Sequence, residues 1–125
     1  MSAFTKVNLE ELEAGGSENV EARFGRKHLE SEHLGISHFR YAPGHRNTIG
    51  HSHREQEEAY VVVDGSGRIK LDGEIVELRK WDVVRVAPAT VRALEAGPEG
   101  LEVLAVGSDR PEGGDGEHVE GWWSD

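Results

Sequence analysis

The chain has 125 residues, no cysteine and a formal net charge of -10, which fits a single domain able to bury a core without disulfide staples. Without cysteine there are no disulfides, thiolate ligands or cysteine nucleophiles, so any metal must sit on nitrogen and oxygen. The acidic balance works against nucleic acid and anionic membranes, whose binders need basic groups to displace counterions.

Residues 1–33 read as an N-terminal arm. Its start lacks the apolar run of a signal peptide, and no later run reaches membrane-spanning length, so the expected location is the cytoplasm. Within the arm, residues 9–14 carry helix formers and stop at Gly15 and Gly16, which predicts a short helical turn or an irregular segment. From Leu34 the texture changes, and residues 34–41 alternate β formers before Pro43 and Gly44 end the run. The β-rich body spans residues 34–107.

His51 and His53 follow, separated by Ser52. On a strand the two imidazoles point to one face and the serine to the other. A short polar link leads to Glu58, which opens a second strand over residues 59–64. Beside the first, that strand can turn Glu58 toward the same point, and two neutral nitrogens with one carboxylate suit a divalent cation with positions left open. The competing reading is a surface cluster arising by chance among seven histidines and 24 acidic residues.

Beyond the cluster the punctuation becomes regular. Residues 64–67 read as a turn, and Asp72 with Gly73 as a hairpin between short strands at 68–71 and 74–78. Further strands are predicted at residues 82–87, 91–95 and 101–106, separated by Pro88 and by the glycine-proline cluster at 97–100. Such spacing argues for an all-β, antiparallel sandwich or barrel. Residues 108–125 read as a linker until Trp122 and Trp123, which are expected to dock on the barrel or on a second subunit.

The segment from Gly44 to Gly65 resembles the first motif of the cupin superfamily, in which a glycine precedes a His-x-His pair, a glutamate follows, and a glycine closes the motif. His51, His53, Glu58 and Gly65 carry the likeness, while Gly44 lies one residue further out than is usual. The resemblance implies a double-stranded β-helix, or jelly-roll barrel, with His51, His53 and Glu58 holding a divalent metal such as Fe, Mn, Ni, Co or Zn. It also implies a homodimer. The family's second motif would supply a fourth ligand from a later strand, but its marked positions depart here: Trp81 stands at the first glycine and Arg92 at the histidine.

A guanidinium keeps its charge and cannot coordinate a cation. Three roles for Arg92 stay open. It pairs with a substrate carboxylate beside a three-ligand metal, or it neutralises Glu58 in a metal-free pocket, or it turns outward to a surface acid. Tyr60 shares strand parity with Glu58 and is a candidate to face the cavity, though a tyrosine there also suits plain core. His38 is a candidate to line the pocket from mid-strand, and His45 to reach in as a replacement ligand or to stay solvated in its loop. Trp81 is expected to narrow or cap the barrel, or to pack at a dimer contact.

By resemblance, the function is that of a small metal-binding protein acting on or binding a small, anionic metabolite in the manner of a dioxygenase or isomerase. The alternative is a non-catalytic binding protein with a vestigial or metal-free pocket.

Overall fold

The computed structural model describes residues 3–125. Among them it has nine strands: β1 (Gly15–Ser17), β2 (Val20–Phe24), β3 (Gly35–Tyr41), β4 (Gly50–His53), β5 (Glu58–Leu71), β6 (Glu74–Arg79), β7 (Val83–Val86), β8 (Arg92–Gly107) and β9 (Gly116–Val119). One helical turn, α1 (Arg26–Leu29), joins β2 to β3, and a 3-10 turn at Leu9–Glu11 is capped by Asn8, whose side chain accepts from the Glu10 amide at 3.0 Å. No described helix is long and apolar enough to cross a membrane.

The strands form one antiparallel sheet that curls into a barrel. Its order runs β1, β2, β3, β8, β4, β9, with β5 also on β8 and with β6 and β7 on β5. β8 is the spine. Its second half pairs with β3 and with the start of β5, and its first half with the end of β5. Arg92, at its N-terminal end, pairs with His51 of β4. Val62, Ile69 and Val103 are fully buried between these long strands, and Tyr60, Leu94 and Leu101 complete the centre of the core.

The hairpin predicted at Asp72 and Gly73 joins β5 to β6, with Leu71 opposite Glu74 and Asp72 at a φ of 51°. The turn predicted at residues 64–67 and the strand break predicted at 97–100 are not chain reversals. There β5 and β8 continue through bends, with register shifts between Val62 and Asp64 and between Gly65 and Gly67. The glycines permit the bend, because a Cβ on Gly65, at a φ of +74°, would lie 2.1 Å from the Gly100 carbonyl oxygen. Sequence punctuation marks the right places, but the backbone uses them as barrel corners.

The tail also differs from its reading as a linker. β9 pairs with β4, placing His118 opposite His51 and Gly116 opposite His53. All four β9 residues are exposed, so pairing through the backbone alone leaves no apolar alternation to read. Beyond β9 the two indoles lie on the barrel, with Trp122 Nε1 donating to the Lys70 carbonyl at 3.4 Å and Trp123 Nε1 to that of Asn47 at 2.8 Å. Trp81 neither narrows nor caps the barrel. It stands 68% exposed in the β6–β7 turn with a φ of 74°.

Candidate metal centre

β4 and the start of β5 build the cluster. Alternation along Gly50–His53 sends His51 and His53 to one face, with ring centroids 5.2 Å apart and planes at 90°. Glu58 opens β5 opposite them, its Oε1 lying 3.6 Å from His51 Nε2 and 3.3 Å from His53 Nε2. One ligand atom from each of the three residues falls within 4.8 Å of the others.

His53 is held from behind. Its Nδ1 lies 2.8 Å from Asp115 Oδ1, and the other oxygen of that buried carboxylate accepts from the backbone amides of Glu55 at 2.6 Å and Gln56 at 2.9 Å. Burial works to raise the Asp115 pKa, but the two amides and His53 outweigh it and bring it down to about 2. An ionised Asp115 fixes the proton of neutral His53 on Nδ1 and leaves the Nε2 lone pair facing the cluster. Nε2 is buried and makes no hydrogen bond of good geometry. This carboxylate-backed imidazole is the arrangement metal-ligating histidines adopt, so the residues fit a divalent cation. Asp115 carries no local sequence signal, since its contact with His53 spans 62 residues and its neighbours are glycines.

Arg92 points inward. It is 1% exposed, and its Nη2 donates to Glu58 Oε1 at 3.0 Å. Its Nη1 donates to the carbonyls of Pro88 at 3.1 Å and Thr90 at 2.6 Å, and its Nε to the Tyr60 hydroxyl at 3.4 Å. The outward-facing role is thereby removed. Tyr60 in turn donates to Glu58 Oε1 at 2.9 Å, and burial holds its phenol well above the ordinary range. Burial also pushes the Glu58 carboxyl up, but His51, His53 and Arg92 together hold it well below the usual carboxylate range. The Glu58 carboxylate raises the pKa of His53 against burial, and Asp115 adds to the rise.

The cluster forms one wall of a cavity of about 280 Å³ that is also lined by Tyr60 and Arg92. Neither His38 nor His45 lines it. His38 lies one residue off the register of Ser37 and Phe39, which face the cavity, and so turns to the other side of β3, where its Nε2 meets Glu102 Oε2 at 2.5 Å. His45 sits in the loop before β4 with its ring 5.7 Å from that of Tyr41.

Known proteins share this architecture. Residues 37–107 match the family model described as Cupin domain. A 48-residue stretch is 35% identical to an uncharacterised protein of Methanocaldococcus jannaschii, a match spanning 38% of each chain. Among solved structures, a cupin protein from Bacteroides fragilis is 23% identical, with 89% of this chain and 88% of that one covered at a TM-score of 0.74. Pac13 of Streptomyces, solved with uridine, is 18% identical, with 98% and 95% covered at a TM-score of 0.77. Oxalate decarboxylase of Bacillus subtilis is 21% identical, with 91% of this chain but 31% of that one covered at a TM-score of 0.77. At these identities the structural likeness is one of fold. With more than half of its length matched by the domain model and its barrel superposing on cupin structures, the chain belongs to the cupin family.

Proposed function

We propose that this cupin binds a divalent metal through His51, His53 and Glu58 and uses the adjoining cavity for a small, anionic metabolite. The observation that carries the reading is the convergence of His51, His53 and Glu58, with ligand atoms within 4.8 Å of one another, on a His53 backed at Nδ1 by the buried Asp115 carboxylate. A bound cation would supply Lewis-acid polarisation of a ligand oxygen. The protein's own groups would orient the ligand, with the Tyr60 hydroxyl held protonated at the cavity wall. Dioxygenase or isomerase chemistry is the expected reaction type. Solved relatives described as an oxalate decarboxylase and a nucleoside dehydratase support a small-molecule ligand in this fold.

The test is metal analysis of protein produced without an affinity tag, before and after reconstitution with Fe, Mn, Ni, Co or Zn. Stoichiometric metal that disappears in the His51→Ala, His53→Ala double variant is the expected result. Absence of metal after reconstitution removes the proposal.

A second reading is favoured by the 3.0 Å contact between Arg92 and Glu58. In it the guanidinium neutralises Glu58 in place of a metal, and the cavity is a metal-free binding pocket. Ligand binding that survives loss of both histidines would select it. A homodimer belongs to the proposal by resemblance, and sedimentation as a monomer at micromolar concentration would remove that part.

A further inference from the structure

The cavity is cationic in an acidic protein. Its lining includes three arginines, Arg26, Arg92 and Arg110, and a single carboxylate, Glu58, in a chain of net charge -10. Arg92 is committed: four of the five N–H groups of its guanidinium are used on Glu58, Tyr60 and two backbone carbonyls. It has little left for an anionic ligand, so recognition of one falls to the other two.

Arg26 and Arg110 are placed for it. Among the described residues neither makes an ion pair, whereas seven of the ten arginines do. Arg26, half-buried at the start of α1, gives one hydrogen bond, from Nη2 to the Ser108 carbonyl at 2.7 Å. Arg110 is exposed two residues further along that segment. The same cavity is lined by Phe24, Phe39 and Leu94, with the two phenyl rings edge to face at 5.8 Å. Phe24 is 60% exposed, leaving much of its ring uncovered at a site that already holds apolar surface.

We propose that Arg26 and Arg110 form an oxyanion clamp, and that the ligand is a small organic anion with a ring or other apolar body. Its carboxylate or phosphate is gripped by the two guanidiniums. The body runs along Phe24, Phe39 and Leu94, and the far end meets His51, His53 and Glu58. The inference rests on reading the cavity as the ligand site, and it does not require the metal.

The experiment titrates the full chain, stripped of metal by chelation and then reconstituted, with benzoate, phenyl phosphate and neutral benzyl alcohol, following binding by calorimetry. Benzoate or phenyl phosphate is expected to bind at least tenfold more tightly than benzyl alcohol in both forms, and the preference between them tells carboxylate from phosphate. Arg110→Gln, which removes no hydrogen bond or ion pair among the described residues, is expected to weaken anion binding about tenfold, and Arg26→Lys by several-fold. Added salt is expected to weaken it further. Equal binding of the neutral probe, no binding of either anion, or anion affinity unchanged in both variants overturns the clamp. Metal content measured on the same samples separates the two ideas. Anion binding by a protein that takes up no metal on reconstitution sinks the metal reading alone, and metal uptake without anion binding in either form sinks the clamp alone.

Discussion

At the scale of single residues, Glu58 is contested. Arg92, Tyr60, His51 and His53 all lie around its Oε1, and a dication bound there would compete with the guanidinium for the same carboxylate. Replacing Arg92 with Met removes the guanidinium from a carboxylate that keeps the Tyr60 hydroxyl and the two imidazoles, which costs up to about 3 kcal/mol in metal-free protein. Added Co²⁺ is then expected to raise the melting temperature of Arg92→Met more than that of the parent, because the metal takes over the missing charge. An identical metal response in the two proteins would show that they do not compete. Asp115 gives a separate handle. Asp115→Asn keeps the shape but no longer fixes the His53 tautomer, and it should lower metal affinity 10- to 100-fold in a competition titration. Asp115→Ala in addition strands the Glu55 and Gln56 amides and should cost about 1–3 kcal/mol for each in urea unfolding. His51, His53, Glu58 and Arg92 were legible in the sequence because strand alternation and a motif spacing place them. Asp115, Arg26 and Arg110 were not, since only the closed fold brings them to the site from the tail and from α1.

At the scale of elements, β5 and β8 carry the barrel because each passes a corner without breaking. Gly65 is the sharpest test. Its φ of +74° and the 2.1 Å approach that a Cβ would make to the Gly100 carbonyl leave no relaxed place for a side chain. Gly65→Ala is expected to cost more than about 2 kcal/mol, combining left-handed strain with a backbone clash. Gly73, with nothing within 4 Å of a built Cβ, serves as the control, and Gly73→Ala should stay within about 0.5 kcal/mol. Comparable losses in the two variants would refute the corner argument. This contrast explains what the sequence conveyed about strands. The turn at Asp72 and Gly73 reverses the chain through the positive φ of Asp72, which is local chemistry. Gly65 and Gly67 look the same in sequence, but their role is set by Gly100 and Glu95 across the sheet. β9 was hidden for a different reason, since an edge strand with no buried side chain shows no periodicity.

At the scale of the whole molecule, the C-terminal residues act as a strap held by charge. The Arg46 guanidinium lies 4.4 Å from the Trp123 ring centre and that of Arg68 lies 5.5 Å away, while both side chains also bind Glu95 and Asp125. Burial works to raise the Glu95 pKa, but hydrogen bonds from Arg46 and Arg68 hold it below the ordinary carboxylate value, and Asp125 is lowered by the same two arginines against its own burial. A carboxylate depressed in the folded state stabilises above its unfolded value, and that contribution is lost as pH falls through the folded one. The strap is therefore intact at pH 7 and weakens as the pH drops below 4.5, the ordinary value for Glu95. Trp81 is replaced by Phe so that Trp122 and Trp123 alone report. Their emission is then expected to shift to longer wavelength below pH 4.5 while the β-sheet circular dichroism persists. Glu95→Gln should weaken docking at neutral pH and flatten the transition. Tryptophan emission that stays constant until the sheet signal itself is lost would mean that the strap is held by apolar packing, with the carboxylates as bystanders. The outcome bears on the site as well. β9 and Asp115 lie in the same tail as the strap, so how firmly the indoles are docked influences how firmly His53 is held.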